Sequence, residues 1–198
     1  MGTRLILASQ SRARREMLAA AGLAFELAPS GVDEIAARAA MPAGLAAIDV
    51  ARGLAQGKAE AVSRQYPNAV VVGADQVLAL GDEIFEKPPD LAAARHALLR
   101  LRGRIHQLHS AVVIAEGGRA DWVHADTASL LVRPFTDAFL DGYLAAAGER
   151  LLGAVGAYEL EGRGVQLFDR IEGDYFTILG MPLIALLGAL RERGAVAA

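Results

Sequence analysis

The chain has 198 residues, 54% of them apolar, and 20 basic against 23 acidic side chains give a net charge of −3. At roughly 100–200 residues per domain, residues 1–198 make one domain, and a chain of this size buries on the order of 70% of its unfolded surface without staples. The absence of cysteine excludes a disulfide scaffold, thiolate-held metal and thiol catalysis, the mildly acidic balance argues against nucleic acid as a partner, and no run approaches the ~20 apolar residues of a membrane span.

Residues 4–8 (RLILA) are a short apolar run expected to form a buried strand. The run is too short for a secretion signal, and Arg12, Arg14 and Arg15 follow at once, so a cytoplasmic protein is expected. The next ten residues, RARREMLAAA, predict a helix with Ser11 as N-cap and Gly22 as stop. Leu23–Ala28 reads as a second strand and residues 30–43, broken by Gly31 and Pro42, as a loop carrying Val32-Asp33-Glu34. A long helix is expected from Leu45 to Arg64. Ala69–Val72 is a clear strand ending at Gly73-Ala74-Asp75-Gln76, and Val77–Leu80 with Glu83–Phe85 reads as a hairpin. Asp90 caps a helix to about Leu101. Ile105–Ala115 and Ala120–Val132 are two long strands around Glu116-Gly117-Gly118, and Thr136 or Asp137 caps a helix to Ala147. Residues 148–164 are glycine-rich and irregular, Val165–Ile171 is a last strand, Asp174-Tyr175 lies in a loop, and Leu183–Arg193 is the closing helix. Intermixed helices and strands give an α/β class with a mixed sheet.

Of the 20 basic residues 18 are Arg and only two, Lys58 and Lys87, are Lys. In a chain that uses Arg so generally, these two are either leftover solvated lysines or Lys kept where a compact point charge on a flexible stem is needed. Ser9-x-Ser11-x-x-Arg14-Arg15 stands at a strand-to-helix turn, where backbone N–H groups, hydroxyls and guanidinium forks make an anion site; taken alone it also reads as a capped helix with surface arginines. Asp75 follows an apolar strand, just beyond its carboxyl end, the edge where open α/β sheets bind ligands; an N-cap is the other reading, but the residues after it read as strand. Asp33 and Glu34 are hard oxygen donors suited to magnesium or manganese, or else a solvated loop. His106 and His109, three apart in a strand, point to opposite faces and share no metal. Gly162-Arg163-Gly164 lacks the following helix of a dinucleotide site.

Together these motifs resemble the Maf (septum formation inhibitor-like) family of nucleoside triphosphate pyrophosphatases. LASQSRARREML, Leu7 to Leu18, resembles the family's opening Leu-Ala-Ser-x-Ser-Pro-x-Arg-x-x-x-Leu. VDE at 32–34, Lys58 in LAQGKA, GADQV at 73–77 and EKP at 86–88 match in order. GRIHQLHSAV, Gly103 to Val112, and the stretch Gly156 to Leu183 resemble the later motifs, and both scarce lysines fall on family positions.

The resemblance implies a mixed central sheet flanked by helices, with two lobes and a cleft, often as a homodimer. It implies hydrolysis of a nucleotide substrate to the monophosphate and pyrophosphate with a divalent cation, Mg²⁺ or Mn²⁺. Residue by residue, Asp75 matches the proton acceptor. Ser9, Arg14, Lys58 and Lys87 match the phosphate-binding set, with Glu34 and Asp75 as metal ligands. Three positions, here Ala13, Gln76 and Glu161, sort substrates within the family. Gln76 and Glu161 look like the 7-methyl-GTP subfamily, and a carboxylate suits the N1–H and amine of guanine. Arg12 stands where the motif has proline, and Ala13 where that subfamily has tryptophan. The competing expectation is a non-catalytic nucleotide-binding regulator of septation.

Overall fold

In a computed structural model that describes residues 3–197, the apolar run at the start forms β1 (Leu5–Leu7). Ser11 ends the turn that follows. Its hydroxyl accepts from Arg14 N and starts α1 (Arg12–Ala20). The chain returns through the two-residue β2 (Glu26–Leu27), the short α2 (Glu34–Ala39) and the long α3 (Ala47–Gln65). Valine-rich β3 (Val70–Leu80) turns into β4 (Glu83–Phe85), and Asp90 caps α4 (Leu91–Leu101). Two long strands, β5 (Ile105–Glu116) and β6 (Arg119–Val132), are followed by α5 (Asp137–Ala147), with Thr136 as its cap. Two 3₁₀ segments, Gly148–Gly153 and Arg163–Leu167, lead to β7 (Phe168–Glu172), α6 (Tyr175–Ile178) and α7 (Leu183–Glu192).

The strands form one sheet in the order β2-β1-β3-β5-β6-β7, with β4 paired to β3. β2, β1 and β3 run parallel and the remaining pairs are antiparallel, so the expected mixed sheet is present. Alternation along β3 decides what covers each face. Val70, Val72 and Ala74 pack with Met17 and Leu18 of α1 and Leu186 and Leu190 of α7. On the other face Val77, with Ala111 and Val113 of β5, packs under Val50, Leu54 and Ala55 of α3. The far ends of the long strands carry a separate core: Leu78, Leu108 and Leu130 meet Leu98 of α4, Leu140 of α5 and Leu167. Each of these leucines contributes roughly 1.5–3 kcal/mol by leaving water. The cleft is lined from more than one of these cores, by Leu54 of α3 and by Leu108, Tyr158 and Ile178 of the separate core.

Several elements differ from the sequence expectation. Residues 30–43 are not all loop: Asp33 accepts from Ala36 N and starts α2 there. β3 does not stop at Gly73-Ala74-Asp75. It runs on because β5 continues to pair with it, Asp75 lying opposite Ala111. Asp75 is therefore mid-strand. What ends is β1, whose last partner on β3 is Val72, and this leaves the edge of β3 open beside Asp75. The last strand starts at Phe168, and Tyr175 belongs to α6, capped by Asp174. The closing GAVAA, residues 194–198, reads from its sequence as a frayed end; Ala198 lies outside the described residues, and Ala195 N bonds Leu190 O.

Candidate active site

Asp75 points from β3 toward α3, and Gly73 explains how closely the helix can approach. A Cβ on Gly73 would lie 2.5 Å from Ala55 O and 2.7 Å from Ala59 N, so only glycine lets α3 rest on the strand here. Lys58 belongs to the buried stripe of α3 with Ala51, Leu54, Ala55 and Val62, a helical period that aims it at the sheet. Its ammonium lies 2.5 Å from Asp75 Oδ1 and 2.6 Å from Glu34 Oε1. The Lys58 and Asp75 side chains are 8% and 7% exposed, and Glu34, the first residue of α2, is 44% exposed.

The two carboxylates are tuned in opposite directions. Burial pushes the Asp75 carboxyl above its ordinary range, and Lys58 and Arg14 only partly offset it. Burial also acts to raise Glu34, but the hydrogen bond and charge of Lys58, with Lys87 and Arg14, outweigh it and hold Glu34 low. A raised carboxylate is what proton abstraction near neutral pH calls for.

Asp75, Glu34, Lys58 and Lys87 line one cleft of about 1180 Å³ together with Ser9, Ala13, Arg14, Gln76 and Glu161. Of the candidate site residues from the sequence, all but Arg15 thus fall on the same cavity. Ser9 Oγ accepts from Ser11 N at 3.2 Å and Arg14 Nη1 at 3.3 Å. Arg14 is buried, and its guanidinium also donates to Ala74 O and Gly180 O, each at 2.9 Å. It clamps β3 to the C-terminal motif, and burial pulls its pKa down. Among the described residues, Arg14 and Lys87 are the cleft cations without a carboxylate within 4 Å. Lys87 is exposed behind a buried Pro88.

At the other end, Gln76 Nε2 donates to Ser110 Oγ, Thr177 O and Ile178 O at 3.0, 3.1 and 2.9 Å. Its amide nitrogen is fully committed and its oxygen is left to accept. Sequence reasoning missed Arg38, Arg150, Tyr158 and Glu159, which also line the cavity. Arg38 of α2 pairs with Glu86, while Glu159 is held by Arg12 across the cleft and by Arg150. His106 and His109 do face opposite ways, toward Tyr158 and Thr127. Gly164 lies against the Glu159 backbone and closes the loop that presents Glu161; it has no dinucleotide-type helix after it.

The model of the family described as Maf-like protein matches residues 4–193. The chain belongs to the Maf family. Two relatives named nucleoside triphosphate pyrophosphatase come from Granulibacter bethesdensis and Caulobacter vibrioides. Each is 53% identical, over 194 and 195 residues, covering 98% of both chains. A relative from Rhizobium meliloti, named 7-methyl-GTP pyrophosphatase, is 49% identical over 193 residues, 97% of each chain. A solved structure described as nucleoside-triphosphatase / dITP/XTP pyrophosphatase from Mycobacterium abscessus aligns over 97% of this chain and 94% of its own. At a TM-score of 0.44 and 14% identity it is too distant to carry an argument. Among the described residues of this Maf protein no helix is long and apolar enough to cross a membrane.

Proposed function

We propose that this Maf protein hydrolyses a nucleoside triphosphate to the monophosphate and pyrophosphate, with 7-methyl-GTP as the substrate. The observation that carries the reading is the buried Asp75–Lys58 pair in a cleft that also holds two cations without carboxylate partners. The names of the relatives support it. They are enzyme names, so the regulator of septation is not favoured.

A triphosphate repels an attacking oxygen until its charge is neutralised. Lys87, Lys58 and the free face of Arg14 supply fixed positive charge, and the backbone at the start of α1 adds N–H donors. Asp75 uses Oδ1 for Lys58, which leaves its other oxygen to orient a water and take its proton as that water attacks the α-phosphorus. Pyrophosphate leaves from the far side. At the base end, Glu161 accepts from the N1–H and amine of a guanine, and Gln76 offers its amide oxygen.

The residues fit a divalent ion shared with substrate. Among the described residues no group of three or more His, Asp or Glu could enclose a metal alone, but Glu34 and Asp75 each give one oxygen to the Lys58 ammonium, and their other oxygens would be the hard donors for such an ion. Mg²⁺ commonly takes one or two carboxylates and completes its shell with phosphate and water. When bound, such an ion offsets phosphate charge. The same reading places the protein in the cytoplasm as a homodimer.

The test is pyrophosphate release from 7-methyl-GTP, GTP, UTP and dTTP, side by side with Mg²⁺ or Mn²⁺. Fastest release from 7-methyl-GTP is expected. Preference for UTP or dTTP would overturn the substrate, and binding without release from any of them would overturn the reaction.

A further inference from the structure

The lobe beyond the cleft contains a polar pair that the chemistry above does not use. His106 of β5 is 1% exposed, and its Nε2 lies 2.7 Å from the Tyr158 hydroxyl. Its Nδ1 is buried without a protein partner, the one such side-chain atom among the described residues. The surroundings are apolar: the imidazole sits edge-on to Tyr158 at 5.7 Å and tilted to Phe168 at 6.1 Å, and Tyr158 meets Phe168 edge-on at 4.9 Å. Burial pulls the imidazole down to about 4, so it is neutral at ordinary pH. An orphaned polar atom costs stability, and an apolar residue of the same bulk would remove that cost. Packing alone therefore does not account for histidine here.

Tyr158 is where the pair reaches the cleft, since its ring is part of the wall. The backbone before it is held in a strained path. Ala157 has φ of 55°, the one non-glycine residue at positive φ among the described residues, a conformation costly for a residue with a Cβ. The Tyr143 hydroxyl donates to Ala157 O at 3.2 Å. A side chain on Gly156 would overlap the Tyr158 ring, which folds back over it. Immediately after Tyr158 come Glu159, tied to Arg12 and Arg150, and Glu161 on the cleft.

We propose that His106 is a positioning residue for the nucleobase: its hydrogen bond to Tyr158 fixes the 156–161 segment, and so sets where Glu161 meets the base. The inference rests on the pyrophosphatase reading of the cleft. It assigns His106 to base selection and leaves the phosphate end to other residues.

Three variants and their combination test it. His106→Leu removes both the hydrogen bond and the orphaned nitrogen at little change in bulk. Tyr158→Phe removes only the hydroxyl. His106→Gln can restore a bond to Tyr158. Four readouts are taken: kcat and KM for the nucleotide panel, equilibrium binding of the same nucleotides, inhibition by inorganic tripolyphosphate, and thermal unfolding. The Leu and Phe variants are expected to fold and to lose about tenfold in the preference between best and worst base, through KM. Tripolyphosphate inhibition stays unchanged, the double variant is no worse than either single one, and Gln recovers most of the preference.

Base preference within twofold of wild type in both folded single variants overturns the proposal. So does equal weakening of all nucleotides together with tripolyphosphate. Should the wild type release no pyrophosphate, the reaction assignment fails by itself, and binding preference across the panel still decides the role of His106.

Discussion

The Lys58 ammonium lies 2.5 Å from the Asp75 carboxylate with both side chains under a tenth exposed. Strand alternation turns Asp75 to the α3 face, helical period turns Lys58 to meet it, and Gly73 removes the Cβ that would hold the elements apart. In Asp75→Asn the amide keeps the shape, and Lys58 retains Glu34 at 2.6 Å. Turnover should fall by roughly 10²–10⁴-fold, the usual worth of a general base, while stability changes by about 1 kcal/mol. Pyrophosphate release and a thermal melt on the same preparation check both; a variant that still turns over at the wild-type rate removes Asp75 from the chemistry.

The reciprocal substitution should behave differently. Lys58→Met leaves the Asp75 carboxylate buried without its ammonium, and Glu34 loses its nearest cation as well. Removing one partner of a buried pair typically costs about 3–5 kcal/mol, because the remaining charge is uncompensated. Lys58→Met is therefore expected to melt well below Asp75→Asn and to bind inorganic tripolyphosphate more weakly. Urea unfolding and tripolyphosphate inhibition give the two numbers, and equal stability of the two variants would contradict the asymmetry.

Gly73→Ala tests the approach of α3 to β3. The new methyl would meet backbone atoms of α3, Ala55 O and Ala59 N, which cannot swing aside as a side chain can. Overpacking of this kind costs about 1–3 kcal/mol, and displacement of α3 carries Lys58 away from Asp75. Both the urea midpoint and turnover should drop, although no group that touches substrate has been changed.

What the sequence made legible was local. Alternation and helical period gave most elements to within a few residues, and all of the candidate residues but Arg15 fall on one cleft. The α2 helix escaped because six residues between Gly31 and Pro42 offer almost no period. The strand character of Asp75 escaped because Gly73 reads as a stop, and only pairing with Ala111 of β5 carries the strand through. Arg12 with Glu159, 147 residues apart, and Arg14 with the Gly180 carbonyl, 166 apart, left no local trace. Such ties depend on the way the lobes close, which no spacing rule encodes.

His106 also leaves a signature in stability against pH. Burial lowers its pKa from 6.5 to about 4 in the folded chain. Between those values the unfolded chain binds the proton and the folded chain does not, so acid favours unfolding. The contribution of neutral His106 is whole above pH 6.5, declines as pH falls, and is fully lost below the folded value. At about 1.4 kcal/mol per pKa unit the total is on the order of 3 kcal/mol. His106→Leu cannot take up a proton and should lose less stability than wild type between pH 7 and pH 4.5. Urea midpoints for both proteins across that range isolate the effect, since every other titrating group is common to the two. Parallel curves would mean that His106 takes up its proton as readily in the folded chain as in the unfolded one.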